Sequence, residues 1–336
     1  MNYEEFVRRK HLVGVTLLFL LVASTIFSLF FVPTNISLKD IFENAAVKNV
    51  RLPRVMTAVF VGASLAVSGA VMQCVLRNPL ASSFTLGISQ GAAFGAAFAI
   101  IYLGAGILHR TGEGVTISNP YIVPVFAFIG ALLSVKIVLI LSKIRDLSPE
   151  AMILAGIAMA SFFQASTMLI QYFSQNEVLI ASVVFWTFGD VGRTVWREAA
   201  IIALSFLAVF LIFLRRAWDY NALLSGDEVA KTLGVDPKRV RVEGLLLSAF
   251  LTAICVSFTG IIGFVGLISP HVVRIFLGED YRFLLPLSAV VGSLMLLLAD
   301  SFGRAILFPV IIPVGIVTAF VGAPVFIYLL LRGVGR

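Results

Sequence analysis

Apolar residues fill this chain in long blocks, each closed by a short cluster of charge, proline or glycine. The first block covers 12–32, behind Arg8, Arg9 and Lys10. Further blocks cover about 55–75, 83–103, 122–141 and 151–173. A sixth spans 198–214, a seventh 244–262, a ninth 283–302 and a tenth 313–331. The eighth, 266–276, is short and is expected to be broken by Pro270. Blocks of about 20 apolar residues are long enough to cross roughly 30 Å of hydrocarbon as helices. The pattern therefore predicts an all-α polytopic membrane protein with about ten transmembrane helices per chain. The first block exceeds a secretory-signal core and lacks a small-residue cleavage site, so it is read as a retained span. Segment 33–54 is polar, and Lys39, Asp40, Glu43 and Lys48 suggest a short amphipathic helix outside the bilayer. Segment 174–195 is read as a polar, glycine-bearing connection.

Composition agrees. Of 336 residues, 60% are hydrophobic and only 13% charged, against about 25% charged in a soluble domain. The formal net charge of +7 would suggest nucleic-acid binding in a soluble protein. Here the basic residues sit at block ends, so lipid is the expected partner and nucleic acid is not. With ten spans both termini share a side. Placing them in the cytoplasm puts roughly twice as many Lys and Arg inside as outside. The expected location is a cell membrane, with one transmembrane domain over 1–336. Cys74 and Cys255 fall within apolar blocks and form neither a redox nor a metal-ligand spacing.

Chemistry is sparse. The chain has no phosphate loop, no H-E-x-x-H and no G-x-S-x-G. His11, His109 and His271 are far apart in sequence, and Lys136, Glu198 and Asp300 approach mid-span positions most nearly. Catalytic, cofactor and metal residues are therefore not expected, and the chain is not read as an enzyme. Gly69 precedes Pro79, and Gly260 precedes Pro270, by the same interval, a faint echo of the inverted repeats of transport folds. The small-residue runs 62–70 and 91–99 suit close helix packing.

The polar connection 215–243 is more informative. Ser225-Gly226-Asp227-Glu228 can open a short helix, with Ser225 as the cap and two acids at the positive end of the dipole. Gly234 can end it in the left-handed conformation. Asp236-Pro237 then starts a second helix leading into the seventh span. Val229 and Leu233 give the short helix an apolar side, suited either to a soluble partner or to lipid headgroups. In the fifth span, Gln164, Met168 and Gln171 share a helical stripe, near Ser161 and Tyr172. Such a stripe faces either a watery path or a neighbouring helix.

Several motifs occur together and in order. They are Arg51-Leu52-Pro53-Arg54, Ser68-Gly69-Ala70-Val71-Met72-Gln73, Asn78-Pro79-Leu80-Ala81, and Leu86-Gly87 with Gly91. Further on come Glu228-x-Ala230 with Gly234, Gly263-Phe264-Val265-Gly266-Leu267, Pro270-His271-x-x-Arg274, Leu298-Ala299-Asp300, and Gly315-x-x-Thr318 followed by 322–326. Over about 10–336 the chain resembles the FecCD-type permeases of ABC importers, which take up iron-siderophores, haem and vitamin B12. The resemblance implies a type II importer permease acting as a homodimer, or beside a similar chain. Two ATP-binding cassette subunits would hydrolyse ATP on the cytoplasmic side, and a substrate-binding protein would dock outside. The cargo would be a metal chelate or a metal oxyanion.

By the same resemblance Arg51, Arg54 and Arg304 face outward to dock the binding protein. Their exchange for Glu is expected to stop transport without unfolding the chain. Asp227, Glu228, Ala230, Leu233 and Gly234 form the ATPase coupling segment. Asn78 and Leu80 form the cytoplasmic gate, and a second gate element near 148–150 departs from the family pattern. Ser161, Gln164, Met168, Gln171 and Tyr172 are candidates to line the translocation path. A self-contained secondary transporter or channel is the alternative function, and an intramembrane enzyme a more distant one.

Overall fold

A computed structural model describes residues 3–30, 44–105, 108–111, 114–117 and 120–333. Helix α1 is Tyr3–Phe30. A short π-helical turn, Val47–Arg51, runs into α2, Leu52–Val75, with Pro53 in its first turn. Helix α3 is Ile88–Leu103. Strands β1, Leu108–Thr111, and β2, Gly114–Ile117, pair antiparallel as a small hairpin. Helices α4, Ile122–Ser142, α5, Pro149–Phe173, and α6, Glu177–Thr187, follow. Next come α7, Trp196–Arg215, α8, Ala217–Leu224, and the six-residue α9, Asp227–Thr232. The chain ends with α10, Pro237–Thr259, α11, Val265–Leu277, α12, Tyr281–Ala305, and α13, Val314–Gly333.

Each of the ten expected spans falls on a helix. Among the described residues seven helices are long and apolar enough to cross a bilayer by length and composition alone; α3, α6, α11 and the Val314–Tyr328 part of α13 are shorter apolar stretches. Helix α6 lies in the segment expected to be a polar connection. Asn176 starts it by accepting hydrogen bonds from the Val178 and Leu179 N–H groups. With only eleven residues it is below the length that the sequence pattern recognises as a span. The expected amphipathic helix around Lys39, Asp40 and Glu43 lies outside the described residues.

Helix α2 is the structural axis and is buried along nearly its whole length. It packs against α12, α10, α11 and α7, while α3 packs against α4, α5 and α6. Small residues permit this closeness, since hydrocarbon surroundings give helices no hydrophobic reason to associate. A Cβ on Gly62 would fall 2.3 Å from the Gly292 carbonyl oxygen, and one on Gly91 2.4 Å from that of Gly130. The two expected small-residue runs thus mark the α2–α12 and α3–α4 crossings.

Pro270 does not break α11, contrary to expectation. Proline leaves the carbonyl four residues earlier without its helical donor. That carbonyl belongs to Gly266 and accepts from Gln73 Nε2 on α2 at 3.4 Å, as does that of Leu267. The discontinuity lies earlier, at Gly260–Phe264, between α10 and α11. Non-helical backbone at membrane depth needs protein around it. Here Gly189 and Gly315 supply close neighbours for the Ile261 carbonyl.

Candidate functional site

Each end of α2 carries a charged cluster. At its N-terminal end Arg54 is buried, with 7% of its surface exposed. Its Nη2 lies 2.8 Å from Asp300 Oδ1 and its Nε donates to the same oxygen at 2.9 Å. Nη2 also reaches Asp190 Oδ1 at 3.2 Å. Arg304, one helical turn beyond Asp300, donates from Nε to Asp300 Oδ2 at 2.9 Å and from Nη2 to Ser28 Oγ at 2.6 Å. Arg304 and Asp300 are 3% and 1% exposed. Arg51 is half-buried and donates from Nη1 to the Leu29 carbonyl at 3.2 Å. Arg51, Arg54 and Arg304 were grouped by resemblance as docking residues; the Asp300 carboxylate that gathers Arg54 and Arg304 was not assigned to them. The burial of Arg54 and Arg304 argues against the expectation that all three could become Glu without unfolding. Either change would set a second carboxylate against buried Asp300.

At the opposite end, α2 stops in a turn that leads to Asn78 and Leu80. The Arg77 N–H bonds the Cys74 carbonyl at 3.0 Å and the Asn78 N–H bonds that of Gln73 at 3.1 Å, a Schellman closure. Asn78 Oδ1 accepts from the Leu80 N–H at 2.9 Å, leaving the Leu80 side chain 41% exposed. The segment expected as a second gate element has an ordinary helix start: Ser148 Oγ accepts from the Ala151 N–H and Pro149 opens α5.

Beside that turn sits α9. Its N-cap is Gly226, not Ser225, with a left-handed φ of 115° that glycine tolerates without penalty. Its C-terminal end follows expectation: Gly234 has φ 80°, and the Val235 and Gly234 N–H groups bond the Ala230 and Lys231 carbonyls. Asp236 then caps α10 by accepting from the Lys238 and Arg239 N–H groups. Glu228, Val229 and Leu233 are exposed, whereas Ala230 is fully buried within the chain. Ala230 therefore seats α9 on its own protein, and Val229 and Leu233 form the outward side.

Asp227 anchors the start of α9. Its Oδ1 receives Arg241 Nη2 at 2.5 Å and also pairs with Arg77. Burial works to raise the Asp227 pKa, but the two guanidinium groups prevail and hold it below the usual carboxylate value. Arg241, 2% exposed, also donates to the Val75 carbonyl at 3.2 Å. Sequence reasoning assigned Asp227 and missed Arg77 and Arg241, which lie in different elements and carry no local spacing signal.

Along α5, Ser161, Gln164, Met168 and Tyr172 are exposed and Gln171 is half-buried, while Phe163, Thr167 and Ile170 are buried on the other side. Met168 is 57% and Tyr172 83% exposed. The stripe is thus the unpartnered side of the helix within the chain. Near the N-terminus of α7, a cavity of about 550 Å³ is lined in part by Tyr121, Arg193 and Glu198. Both charged groups there are engaged internally. Glu198 accepts from the Val195 N–H and the Tyr121 hydroxyl, and Arg193 donates to the Phe185 and Trp186 carbonyls. Lys136 is exposed on α4. Among the described residues no three His, Cys, Asp or Glu side chains gather as a metal site, and Cys74 and Cys255 are free and buried.

Comparison with known proteins places this geometry among permeases. Residues 20–332 match the model of the FecCD transport family. An ABC transporter permease protein of Methanocaldococcus jannaschii is 50% identical, covering 98% of this chain and 97% of its own. The hemin transport system permease protein of Yersinia pestis is 36% identical, over 84% of this chain and 82% of its own. A metal-chelate type ABC transporter solved in an inward-facing conformation superposes with a TM-score of 0.83 and 32% identity, covering 96% of this chain and 99% of that one.

Proposed function

This chain belongs to the FecCD transport family, and from that premise we propose that it is the membrane permease subunit of a binding-protein-dependent ABC importer. It carries a metal chelate into the cytoplasm, of the class formed by ferric siderophores, haem and cobalamin. ATP is hydrolysed by separate subunits, and the permease itself binds no nucleotide. The observation that carries this reading is α9, a six-residue helix closed at both ends with Val229 and Leu233 turned outward. A helix this short is marginal in isolation, and its outward apolar side suits insertion into a cleft on an ATPase.

In this reading the α9 end is cytoplasmic, as are both termini, and the Arg54–Asp300–Arg304 end faces the binding protein. Arg51 forms the front of the docking surface, with Arg54 and Arg304 held behind it by Asp300. Two copies pair through the exposed α5 stripe, so that Ser161, Gln164, Met168, Gln171 and Tyr172 face a shared path. Asn78 and Leu80 close that path on the cytoplasmic side. Co-expression with the ATPase subunit, purification and reconstitution test the proposal directly. Hemin, ferric citrate and cobalamin, each presented on a binding protein, are screened for stimulated ATP hydrolysis and ATP-dependent accumulation. Accumulation driven by an ion gradient without ATPase subunits would establish a self-contained transporter instead.

A further inference from the structure

Arg77 occupies a position whose backbone calls for glycine. It is the left-handed residue that closes α2, with φ of 46°. A non-glycine residue in this region is disfavoured by the approach of its Cβ to the backbone, and glycine is the usual occupant. Backbone preference thus does not explain an arginine, and its side chain offers another reason. The guanidinium Nη2 pairs with Asp227 at the start of α9 and lies 3.3 Å from the Leu223 carbonyl at the end of α8. The next residue in the chain, Asn78, shapes the turn that presents Leu80. Arg77 therefore spans from the short helix to the gate turn by one side chain and one peptide bond.

A second arginine makes the link stiff. Arg241 approaches the same Asp227 oxygen at 2.5 Å and reaches the Val75 carbonyl in the last turn of α2 at 3.2 Å. Asp227 is consequently tied to α2 and α10 as well as to the turn. Val229 and Leu233 lie on the same helix and point away from the protein. Gly226 and Gly234, which flank α9, have nothing within 4 Å of where a Cβ would stand. A push on the outward side of α9 thus meets open space at the glycines and charged contacts at Asp227.

We infer that Arg77 is the positioning residue that transmits displacement of α9 to the gate turn at Asn78 and Leu80. The inference rests on the reading of α9 as the ATPase-contacting helix. It adds a role for a residue that none of the family motifs above includes. Movement of α9 would carry Asp227, Asp227 would carry the guanidinium, and the guanidinium would turn the backbone that presents Leu80.

The test uses the assembled permease–ATPase complex in lipid nanodiscs and needs no cargo. Leu80→Cys reports on the gate turn through its rate of maleimide labelling, since Cys74 and Cys255 are buried. Rates are compared without nucleotide and with ATP trapped by vanadate. With Arg77 present, the two rates should differ by about fivefold or more. Arg77→Gly relieves the strained backbone, so a purely structural residue would tolerate it. We expect instead that the difference shrinks below about twofold, while the ATPase still co-purifies and the melting temperature does not fall. Arg77→Lys should restore part of the response. Asp227→Asn combined with Arg77→Gly should be no worse than the poorer single variant, because both cut one linkage. A full nucleotide response in Arg77→Gly overturns the inference, as does an unresponsive Leu80→Cys reporter with Arg77 intact. Loss of ATPase binding in Arg77→Gly also overturns it, by making Arg77 a docking residue. If the ATPase never binds the unmodified chain, the functional proposal itself fails, a different result.

Discussion

Replacing Asp300 with Ala should destabilise the chain more than any other single change in the charged clusters described above. The carboxylate is 1% exposed and neutralises Arg54 and Arg304, themselves 7% and 3% exposed. Removing it leaves two guanidinium groups without their shared carboxylate and away from water, with Asp190, 3.2 Å from Arg54, in partial compensation. Breaking a buried ion pair by removing one partner costs about 3–5 kcal/mol. For a chain this size that corresponds to a fall of roughly 4–7 °C in apparent melting temperature. Unfolding in detergent is often irreversible, so the comparison is made at one fixed scan rate. Removing all three charges together provides the decisive contrast. Apolar replacement of a whole buried triad is often neutral or stabilising. The triple variant Arg54→Met, Asp300→Leu, Arg304→Met should therefore melt above Asp300→Ala while losing any function that needs the arginines. If the triple variant melts below Asp300→Ala, the energetic argument is refuted and the cluster contributes net stability as a unit.

Three further outcomes follow from the geometry. Gly62→Val should disrupt the α2–α12 crossing, because its Cβ would fall 2.3 Å from the Gly292 carbonyl oxygen; loss of monodisperse protein on size exclusion is the readout. Asp236→Ala should remove the α10 cap and cost about 1 kcal/mol, measured as a small drop in melting temperature without loss of expression. Asp280 is raised by burial but lowered more strongly by Arg282, Asn221 and backbone hydrogen bonds, to about 2. Its contribution to stability is therefore complete above the unfolded value of about 3.9 and lost as pH falls toward 2. The Asp280→Asn variant should differ from the unmodified chain in thermal stability at neutral pH and converge with it near pH 2.

The fold was legible where one physical rule dominated. Lipid demands long apolar helices with internally satisfied backbones, so block length alone located the long apolar helices. Local cap chemistry was legible too: Asp236-Pro237 and Gly234 behave as their residue types require. Features that depend on a distant partner were hidden. Pro270 reads as a break until Gln73, far earlier in sequence, is seen bonded to the carbonyl it frees. Ser225 reads as a cap, yet the chain starts the helix at Gly226 and gives Asp227 to two arginines instead. Arg54 and Arg304 read as outward-facing by resemblance to the family. Only the fold shows Asp300, contributed by α12, sitting between them.

Helix α2 connects these observations. Arg54 near its start is clamped by Asp300, and Arg77 just beyond its end is clamped by Asp227. Between them, glycine contacts bring its backbone against α12 at Gly62 and against α11 at Gly69, where added Cβ atoms would strike carbonyl oxygens. Close-packed helices with carbonyls in direct contact cannot slide past one another by small increments, since any side-chain ridge would collide. The α2, α11 and α12 group is therefore expected to move as one body, and rearrangement to occur where contacts are softer. The turn 76–87 joins that body to α3, whose own close contacts are with α4 and α5. Arg77 and Leu80 lie at this boundary. A charged link placed there can rotate the turn without unpacking either group of helices. The same link placed inside the α2–α12 contact would have nothing free to move.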